Sequence, residues 1–421
     1  MKNFVLILML FSRINVFAGD TLSLGECYQL TDKNFPTAKK IEYNKDISQL
    51  KLKNITNSWY PTLGLNGQAT YQSDVTQLNI DLPIPGVTIP VPPQEQYKIY
   101  MNLNQTIYDG GVISARKKLE QATGEADVQQ VRVDLYQLKS QVNQVYFTIL
   151  LLDKNKEVLQ NKYDEIRARK ESIRSGVMNG MILHGNLDVL DAELLKIEQQ
   201  QAEIMANRGA MVHTLSELIG DTLTDNISLS FPSEIMDTAS QGSRPEYALF
   251  DLQKQRLDAG YNVSKAADMP KLFAFGEAGY GKPGLNMFNN SFEPYYIAGV
   301  GLKWNFIDWG EKKRLRKITE IQKNTLDATR QTFDKNLTIA LEKENAGIKK
   351  NREAIERDRK IIALREKIRK SAASQLEHGV ITSTEYITEL NAEVQARIQL
   401  EIHRVYLVQS MYNYLILKGD L

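Results

Sequence analysis

Strict alternation of apolar and polar positions marks four short stretches of the chain. In YPTLGLNGQATY, residues 60–71, every second position from Leu63 onward forms one set, and polar residues or glycine fill most positions between. Similar alternation runs through residues 97–108, 269–280 and 296–307. A period of two is typical of a β-strand whose two faces meet different surroundings. The pattern therefore predicts two β-hairpins, at about residues 61–108 and 270–307.

The two hairpins are copies of one pattern, placed half a chain length apart. The first hairpin has a long loop rich in proline, with Pro83, Pro85, Pro90, Pro92 and Pro93. Each return strand ends in an aspartate with a glycine one or two positions later, before a charged stretch of helical character. Glycine relieves the backbone where a strand changes direction into a helix. We therefore predict strand-to-helix turns at these residues: Asp109, Gly110 and Gly111, and again Asp308 and Gly310.

Long amphipathic helices are predicted after each turn. Residues 112–175 contain no proline and only Gly124 among the glycines, and residues 311–378 contain only Gly347. Apolar residues recur there and in the return segments at alternating steps of three and four, as in coiled coils: Leu135, Leu138, Val142, Val145, Ile149, then Leu187, Leu190, Leu194 and Ile197. A helix of about 65 residues would reach roughly 95–100 Å. Gly180 and Gly379 interrupt these helices, and we predict that the chain folds back at both.

The alternating strands fit a membrane better than a soluble core. Each is about ten residues long with aromatic residues near its ends, the pattern of a transmembrane β-strand. Four strands cannot close a barrel, and an open sheet edge cannot lie in lipid. If the strands cross a membrane, several chains must share one barrel. The alternative is a soluble β-domain.

The N-terminus has the features of a secretory signal peptide. Lys2 precedes an apolar run from Phe4 to Phe11, and Val16-Phe17-Ala18 resembles a cleavage site. We predict a signal peptide over residues 1–18. Cys27 is the only cysteine. The acidic residue before it does not suit a lipoprotein signal, so we expect an unmodified helix residue.

Charge and motifs indicate neither catalysis nor nucleic-acid binding. The 52 basic and 51 acidic residues give a net charge of +1, whereas a nucleic-acid partner favours a basic surplus. The four histidines lack zinc-site spacing. No phosphate-binding glycine loop, Ser-His-Asp set or His-Glu-x-x-His motif is present. We expect no enzyme activity, no cofactor, no metal and no nucleic-acid partner.

The order of these features resembles the TolC family of outer-membrane efflux proteins. The signal peptide, the duplicated hairpin, YDGG and DWGEKKR at the turns, and LDVLDAEL after the first tip carry the resemblance. The resemblance implies an α+β fold: a tandem-duplicated protomer of a trimer, with a shared 12-stranded transmembrane β-barrel (four strands per chain) continued by a long periplasmic α-helical barrel of coiled coils. The two structural repeats would then be residues 19–221 and 222–421.

The function implied by this resemblance is a passive exit duct for solutes or proteins. The expected location is the cell outer membrane, extending into the periplasm. The expected partners are two further copies in a homotrimer, a periplasmic adaptor protein, an inner-membrane transporter that drives export, and outer-membrane lipid. The alternative is a periplasmic coiled-coil scaffold or adaptor with a soluble β-domain. Adaptors usually carry one helical hairpin, whereas two are predicted here.

The resemblance also implies where the entrance lies. Asp188 and Asp191 match aspartates that the family places around the constriction, where threefold repetition would form rings of acids favouring cations. The alternative is that both face solvent. At the second tip the matching positions hold Thr388 and Asn391, not aspartates. The aromatic and basic residues that the family often uses to lock this tip are also absent, and Leu376 and Thr382 stand nearby instead. We expect Glu385 and Glu389 to substitute.

Basic residues lie just past each turn. They could face lipid headgroups or form a solvated helix face: Arg116, Lys117, Lys118, Lys312, Lys313, Arg314 and Arg316.

Overall fold

A computed structural model describes residues 21–77, 90–234 and 242–421. The predicted signal peptide, with residues 1–18, lies outside this range. So does most of the proline-rich loop, including Pro83 and Pro85.

The described elements follow one order twice. The first series contains α1 (Leu24–Asn34), a short 3₁₀ turn (Pro36–Ala38), α2 (Lys39–Asn57), β1 (Thr62–Tyr71), β2 (Glu95–Tyr108), α3 (Val112–Met178) and α4 (Gly185–Ile219). The second contains α5 (Pro245–Ala267), β3 (Lys271–Lys282), β4 (Glu293–Lys303), α6 (Glu311–Glu377) and α7 (Ser383–Lys418). From α2 and from α5 onward, each series runs helix, hairpin, long helix and return helix. The predicted duplication and the two 67-residue helices α3 and α6 are confirmed.

The four strands form one antiparallel sheet in the order β1-β2-β3-β4. The two hairpins join through β2 and β3, where Met101 pairs with Ala278. Apolar partners share one face, including Leu65 with Met101 and Leu272 with Leu302. This face is open in the single chain: the side chain of Leu65 is 71% exposed and that of Leu302 is 69% exposed. We call it the apolar face.

The opposite face of the sheet is mostly polar. Gly64 pairs with Asn102, and the side-chain amide of Asn66 donates a hydrogen bond to Asn102 Oδ1 at 2.7 Å. Lys271 and Lys303 are cross-strand partners on the same face. We call this the polar face. The predicted alternation is therefore realised as two unlike faces.

One predicted strand boundary is wrong. The pattern predicted strand over residues 296–307, but β4 ends at Lys303 and residues 304–307 lie outside it. Lys303 pairs with Lys271, the first residue of β3, so the following residues have no partner opposite them. β2 continues to Tyr108 because an irregularity between Thr106 and Tyr108 keeps it paired with β3.

The chain separates into two compact units. One comprises the described residues within Met1–Ile41, Gln129–Ala248 and Arg330–Leu421. The other comprises those within Glu42–Val128 and Leu249–Thr329 and holds the sheet. The first unit contains helical core clusters. In one of them Tyr146 is fully buried, and its hydroxyl donates to the carbonyls of Leu22 at 2.9 Å and Ser230 at 2.7 Å. Cys27 is buried in α1 of the same cluster, as predicted for a helix residue.

A second core cluster lies near the ends of the long helices. It includes Ile166 and Ile173 of α3, Leu190 and Ile197 of α4, and Leu376 of α6. Leu190 and Ile197 are positions that the coiled-coil spacing identified, and both are fully buried. Within the described residues, no helix is both long and apolar enough to cross a membrane.

Candidate channel entrance and strand-to-helix turns

An aspartate caps the helix at each strand-to-helix turn. Asp109 accepts hydrogen bonds from the backbone N–H groups of Gly111 at 2.8 Å and Ile113 at 2.5 Å. Asp308 accepts from Gly310 at 3.1 Å and Lys312 at 3.2 Å. The first N–H groups of a helix have no partner within the helix, so an aspartate here stabilises the start of α3 or α6. These bonds, chiefly that from Gly310, also hold the pKa of Asp308 below its usual value.

The predicted glycines occupy left-handed backbone positions, but the two turns differ in packing. Gly110, Gly111 and Gly310 have φ values of 71°, 90° and 79°. A Cβ on Gly110 would lie 2.6 Å from Met269 Cβ, so the first turn is closely packed. At the corresponding place in the second turn Trp309 has φ 48° and is 85% exposed. Within the described chain, the second turn is therefore exposed at Trp309, whereas the first turn packs against Met269.

The first tip reverses the chain at Gly180, as predicted. Gly180 has φ 73°, and the N–H groups of Met181 and Ile182 donate to Gly176 O at 2.8 and 3.2 Å, which closes the end of α3. Asp188 lies in the first turn of α4 with its side chain 70% exposed, and His184 Nδ1 is 3.5 Å away.

The second predicted acid of this tip has a different environment. Asp191 forms an ion pair with Lys170 of α3. Its side chain is 47% exposed, compared with 70% for that of Asp188. The structure thus places both acids at the tip, but only Asp188 is free of a lysine or arginine partner among the described residues.

The second tip reverses at Gly379, with φ 70°. Thr382 and Glu385 form a capping box at the start of α7: the Thr382 N–H donates to Glu385 Oε2 at 2.7 Å, and the Glu385 N–H donates to Thr382 Oγ1 at 3.3 Å. The bonds from Thr382 hold the pKa of Glu385 below its usual value. Glu389 binds Arg365 at 3.3 Å. Both acids expected at this tip are therefore already engaged within the chain.

A buried polar cluster near the second tip was not predicted. Arg369 donates to Glu165 Oε1 at 2.9 Å and to Glu393 Oε2 at 2.8 Å. The hydroxyl of the fully buried Tyr386 donates to Glu165 Oε1 at 3.0 Å. We call Glu165, Arg369, Tyr386 and Glu393 the Arg369 cluster. It joins α3, α6 and α7 by charge-assisted hydrogen bonds, which are stronger than neutral ones.

A second buried pair joins the first return helix to its long helix. Lys162 Nζ of α3 donates to Glu193 Oε1 of α4 at 2.5 Å, and both side chains are nearly inaccessible to water. Glu193 and Glu393 occupy the same place in the repeated Leu-Asp-Ala-Glu and Leu-Asn-Ala-Glu segments. That repetition is the signal that could have identified them.

The two tips also contact one another. The Ser383 N–H donates to Asn186 Oδ1 at 2.7 Å.

Burial raises the pKa of Tyr386 to about 12, so its hydroxyl remains a donor to Glu165 throughout the neutral range. Within residues 21–77, 90–234 and 242–421, no group of histidine, cysteine, aspartate or glutamate side chains could hold a metal ion.

Comparison with known families and structures agrees with this architecture. Residues 53–220 match the family described as outer membrane efflux protein. No curated protein sequence matches the chain.

Solved outer-membrane channels share the fold over nearly the whole chain. The Campylobacter jejuni channel CmeC is 14% identical, with a TM-score of 0.67 over 94% of this chain and 85% of CmeC. CusC is 12% identical, with a TM-score of 0.71 over 94% of this chain and 92% of CusC. VceC of Vibrio cholerae is 12% identical, with a TM-score of 0.67 over 94% of this chain and 96% of VceC.

The fold and the paired helical tips define a protomer of an outer-membrane channel-tunnel. The predicted resemblance to outer-membrane efflux proteins is confirmed, through the family match over residues 53–220 and through the shared fold. The predicted fold class is confirmed, as are the channel function and a location in the outer membrane that extends into the periplasm. The findings do not support the periplasmic adaptor alternative.

Proposed function

We propose that this protein is a passive exit duct in the outer membrane, built from three identical chains. One observation carries the proposal: the sheet has an exposed apolar face and, in the described chain, two unpaired edges at β1 and β4. Exposed apolar side chains suit contact with lipid, but unpaired backbone edges do not. Pairing β4 of one copy with β1 of the next removes both edges.

The end of β4 supports this assembly. Residues 304–307 continue the chain past β3 without a strand partner, and Trp304, Phe306 and Ile307 are exposed. The neighbouring copy would supply a partner for this segment. It would also cover the exposed turn at Trp309, as the Met269 region covers the first turn.

Export through the duct requires energy from other proteins. The sequence contains no nucleotide-binding loop with which the chain could drive transport itself. An inner-membrane transporter would supply the energy, and a periplasmic adaptor would connect that transporter to the helical tips. An adaptor can open the tips only if it binds the open state more tightly than the closed one.

The tips would form the entrance. Three copies of Asp188 would form an acidic ring. Because the threefold symmetry brings three negative charges together, the ring would attract and concentrate cations. Asp191 would contribute less, since Lys170 already neutralises it. Glu385 and Glu389 would act mainly within their own subunit.

We also propose that residues 1–18 are a signal peptide and that residues 19–221 and 222–421 are the two structural repeats. The proposed boundary falls between α4 and α5, where no helix or strand is interrupted.

Planar-bilayer recording tests the proposed function. The reconstituted protein should give discrete conductance steps that increase when the tips are destabilised. Membrane-inserted, folded protein that stays silent both as wild type and with Asn186→Ala and Arg369→Met combined would contradict it.

A further inference from the structure

A cavity of about 390 Å³ lies beside the first strand-to-helix turn, within the unit that holds the sheet. Segments from β2, β3, β4 and the start of α3 surround it. Its lining includes Asn104, Thr106, Asp109, Arg116, Lys271 and Lys303. The volume is near the lower end of the roughly 300–1,000 Å³ typical of ligand pockets, which suits a small charged group.

Three cations line this cavity without an acidic partner. Arg116, Lys271 and Lys303 form no ion pair with any residue of the described ranges. Lys271 and Lys303 are cross-strand partners, an arrangement that places like charges directly opposite each other. Such pairs are destabilising unless something offsets the repulsion. A bound anion would offset it.

Asp109, the one acid in the lining, does not offset this repulsion between lysines. Both oxygens of Asp109 accept backbone hydrogen bonds, from Gly111 and Ile113, so the carboxylate is directed to the helix start. The cavity therefore keeps a positive excess. Asn104 and Thr106 add polar side chains to the same lining.

The cavity belongs to the polar face of the sheet. Asn104, Lys271 and Lys303 lie on that face by register, opposite the apolar face with Leu103 and Leu302. In a barrel whose apolar face meets lipid, the polar face lines the water-filled lumen. The polar-face residues of the cavity then lie toward the path of exported solutes.

We propose that this cavity is a transient binding site for anionic solutes that carry phosphate or carboxylate groups, positioned where the strands meet the helices. This inference rests on the proposed function, and each subunit of the trimer would contribute one such site. Together the sites would give the duct a preference for anionic cargo downstream of a cation-attracting entrance.

The second turn does not repeat the cations of this site: Leu315 stands at the position that corresponds to Arg116. In the second repeat, Lys303 stands at the position that corresponds to Asn104. The exposed Trp309 stands at the position that corresponds to the closely packed Gly110. The anion site thus combines residues of both repeats, Arg116 from the first and Lys271 and Lys303 from the second, and was not evident from the duplicated sequence pattern.

Inorganic pyrophosphate is the probe for the test. Binding to the full-length trimer in lipid-free neutral detergent is measured by calorimetry, and block of the potassium chloride current is measured in bilayers of neutral lipid. We expect Lys271→Gln with Lys303→Gln to weaken both at least tenfold, and Arg116→Gln to weaken both about threefold. The charge-matched control, Lys313→Gln with Arg316→Gln, should change neither by more than twofold.

The outcomes separate this inference from the proposed function. Conducting channels whose pyrophosphate block and binding are unaffected by Lys271→Gln with Lys303→Gln would overturn the anion site and leave the duct intact. Absence of conductance with normal pyrophosphate binding would overturn the duct alone. Pyrophosphate binding that anionic lipid abolishes in bilayers would assign the cations to headgroups and would also contradict the inference.

Discussion

Individual acidic residues at the tips differ in what they are free to do. Asp188 is largely exposed and lies 3.5 Å from His184 Nδ1, while Asp191 is held by Lys170. Glu385 completes a capping box. Sequence resemblance placed these residues at the entrance but did not distinguish them. The Lys170 partner of Asp191 lies on another helix, whereas the spacing of Thr382 and Glu385 is itself the sequence signature of a capping box.

Asp188 should therefore influence ion preference more than Asp191. We expect Asp188→Asn to shift the reversal potential in a potassium chloride gradient toward lower cation preference. Asp191→Asn should shift it by less than half as much, since its charge is already neutralised. Equal shifts in the two variants would show that the Lys170 pair does not persist in the assembled channel.

The cap at the first turn should stabilise the molecule measurably. Asp109→Ala removes the acceptor for two N–H groups at the start of α3, and we expect a loss of about 0.5–2 kcal/mol. Asp109→Asn keeps an oxygen acceptor and should lose less. Denaturant unfolding followed by circular dichroism gives both values, and indistinguishable midpoints for wild type and Asp109→Ala would rule out a capping role.

At the scale of elements, periodicity predicted helices and strands well because it reports which positions are buried. The long helices, the four strands and both tip glycines follow the expected pattern. The end of β4 was mispredicted because strand length depends on the neighbouring strand, and the sequence of one strand does not reveal where its partner begins. The Arg369 cluster was missed for a related reason: its members lie on three helices that are remote in sequence.

Substitutions on the two faces of the sheet should have different costs. Leu65→Arg and Leu302→Arg place a charge on the apolar face, and we expect each to reduce membrane-inserted stability by about 2–4 kcal/mol. Asn66→Arg and Asn102→Arg, on the polar face, are the controls and should be far milder. Folding yields into lipid vesicles that do not differ between the two pairs would exclude lipid contact for the apolar face.

The Arg369 cluster should hold the second tip closed against α3. Arg369→Met leaves Glu165 with Arg169 at 3.6 Å and Glu393 with Arg397 at 2.6 Å. Leaving a buried charge without any partner costs about 3–5 kcal/mol, which sets the upper range here. The side chain of Arg369 is 15% exposed, so we expect a loss toward the lower end of that range. Hydrogen–deuterium exchange over α7 should accelerate and channel conductance should rise.

Arg365 provides the matched control for this experiment. It lies one turn away on α6 and pairs with Glu389, but its side chain is 41% exposed. Arg365→Met should therefore cost only about 0–1 kcal/mol. If both variants accelerate exchange equally, the buried cluster has no special role in closing the tip.

At the scale of the whole molecule, the single chain has features that only an assembly resolves. The described sheet has open edges at β1 and β4, and its apolar face is exposed to solvent. Aromatic residues beyond β4 have no strand beside them. The sequence already indicated a shared barrel, since four strands cannot close. The strand order also shows which edges must meet. Because β2 and β3 pair within the chain, β1 and β4 remain to pair with neighbouring copies.

Native mass spectrometry of the full-length protein released from detergent tests the shared barrel most directly. We predict a single species with three times the mass of the mature chain, and no folded monomer under conditions that preserve the assembly, because a monomer would expose both sheet edges. A monodisperse, folded monomer that inserts into membranes would contradict the shared barrel.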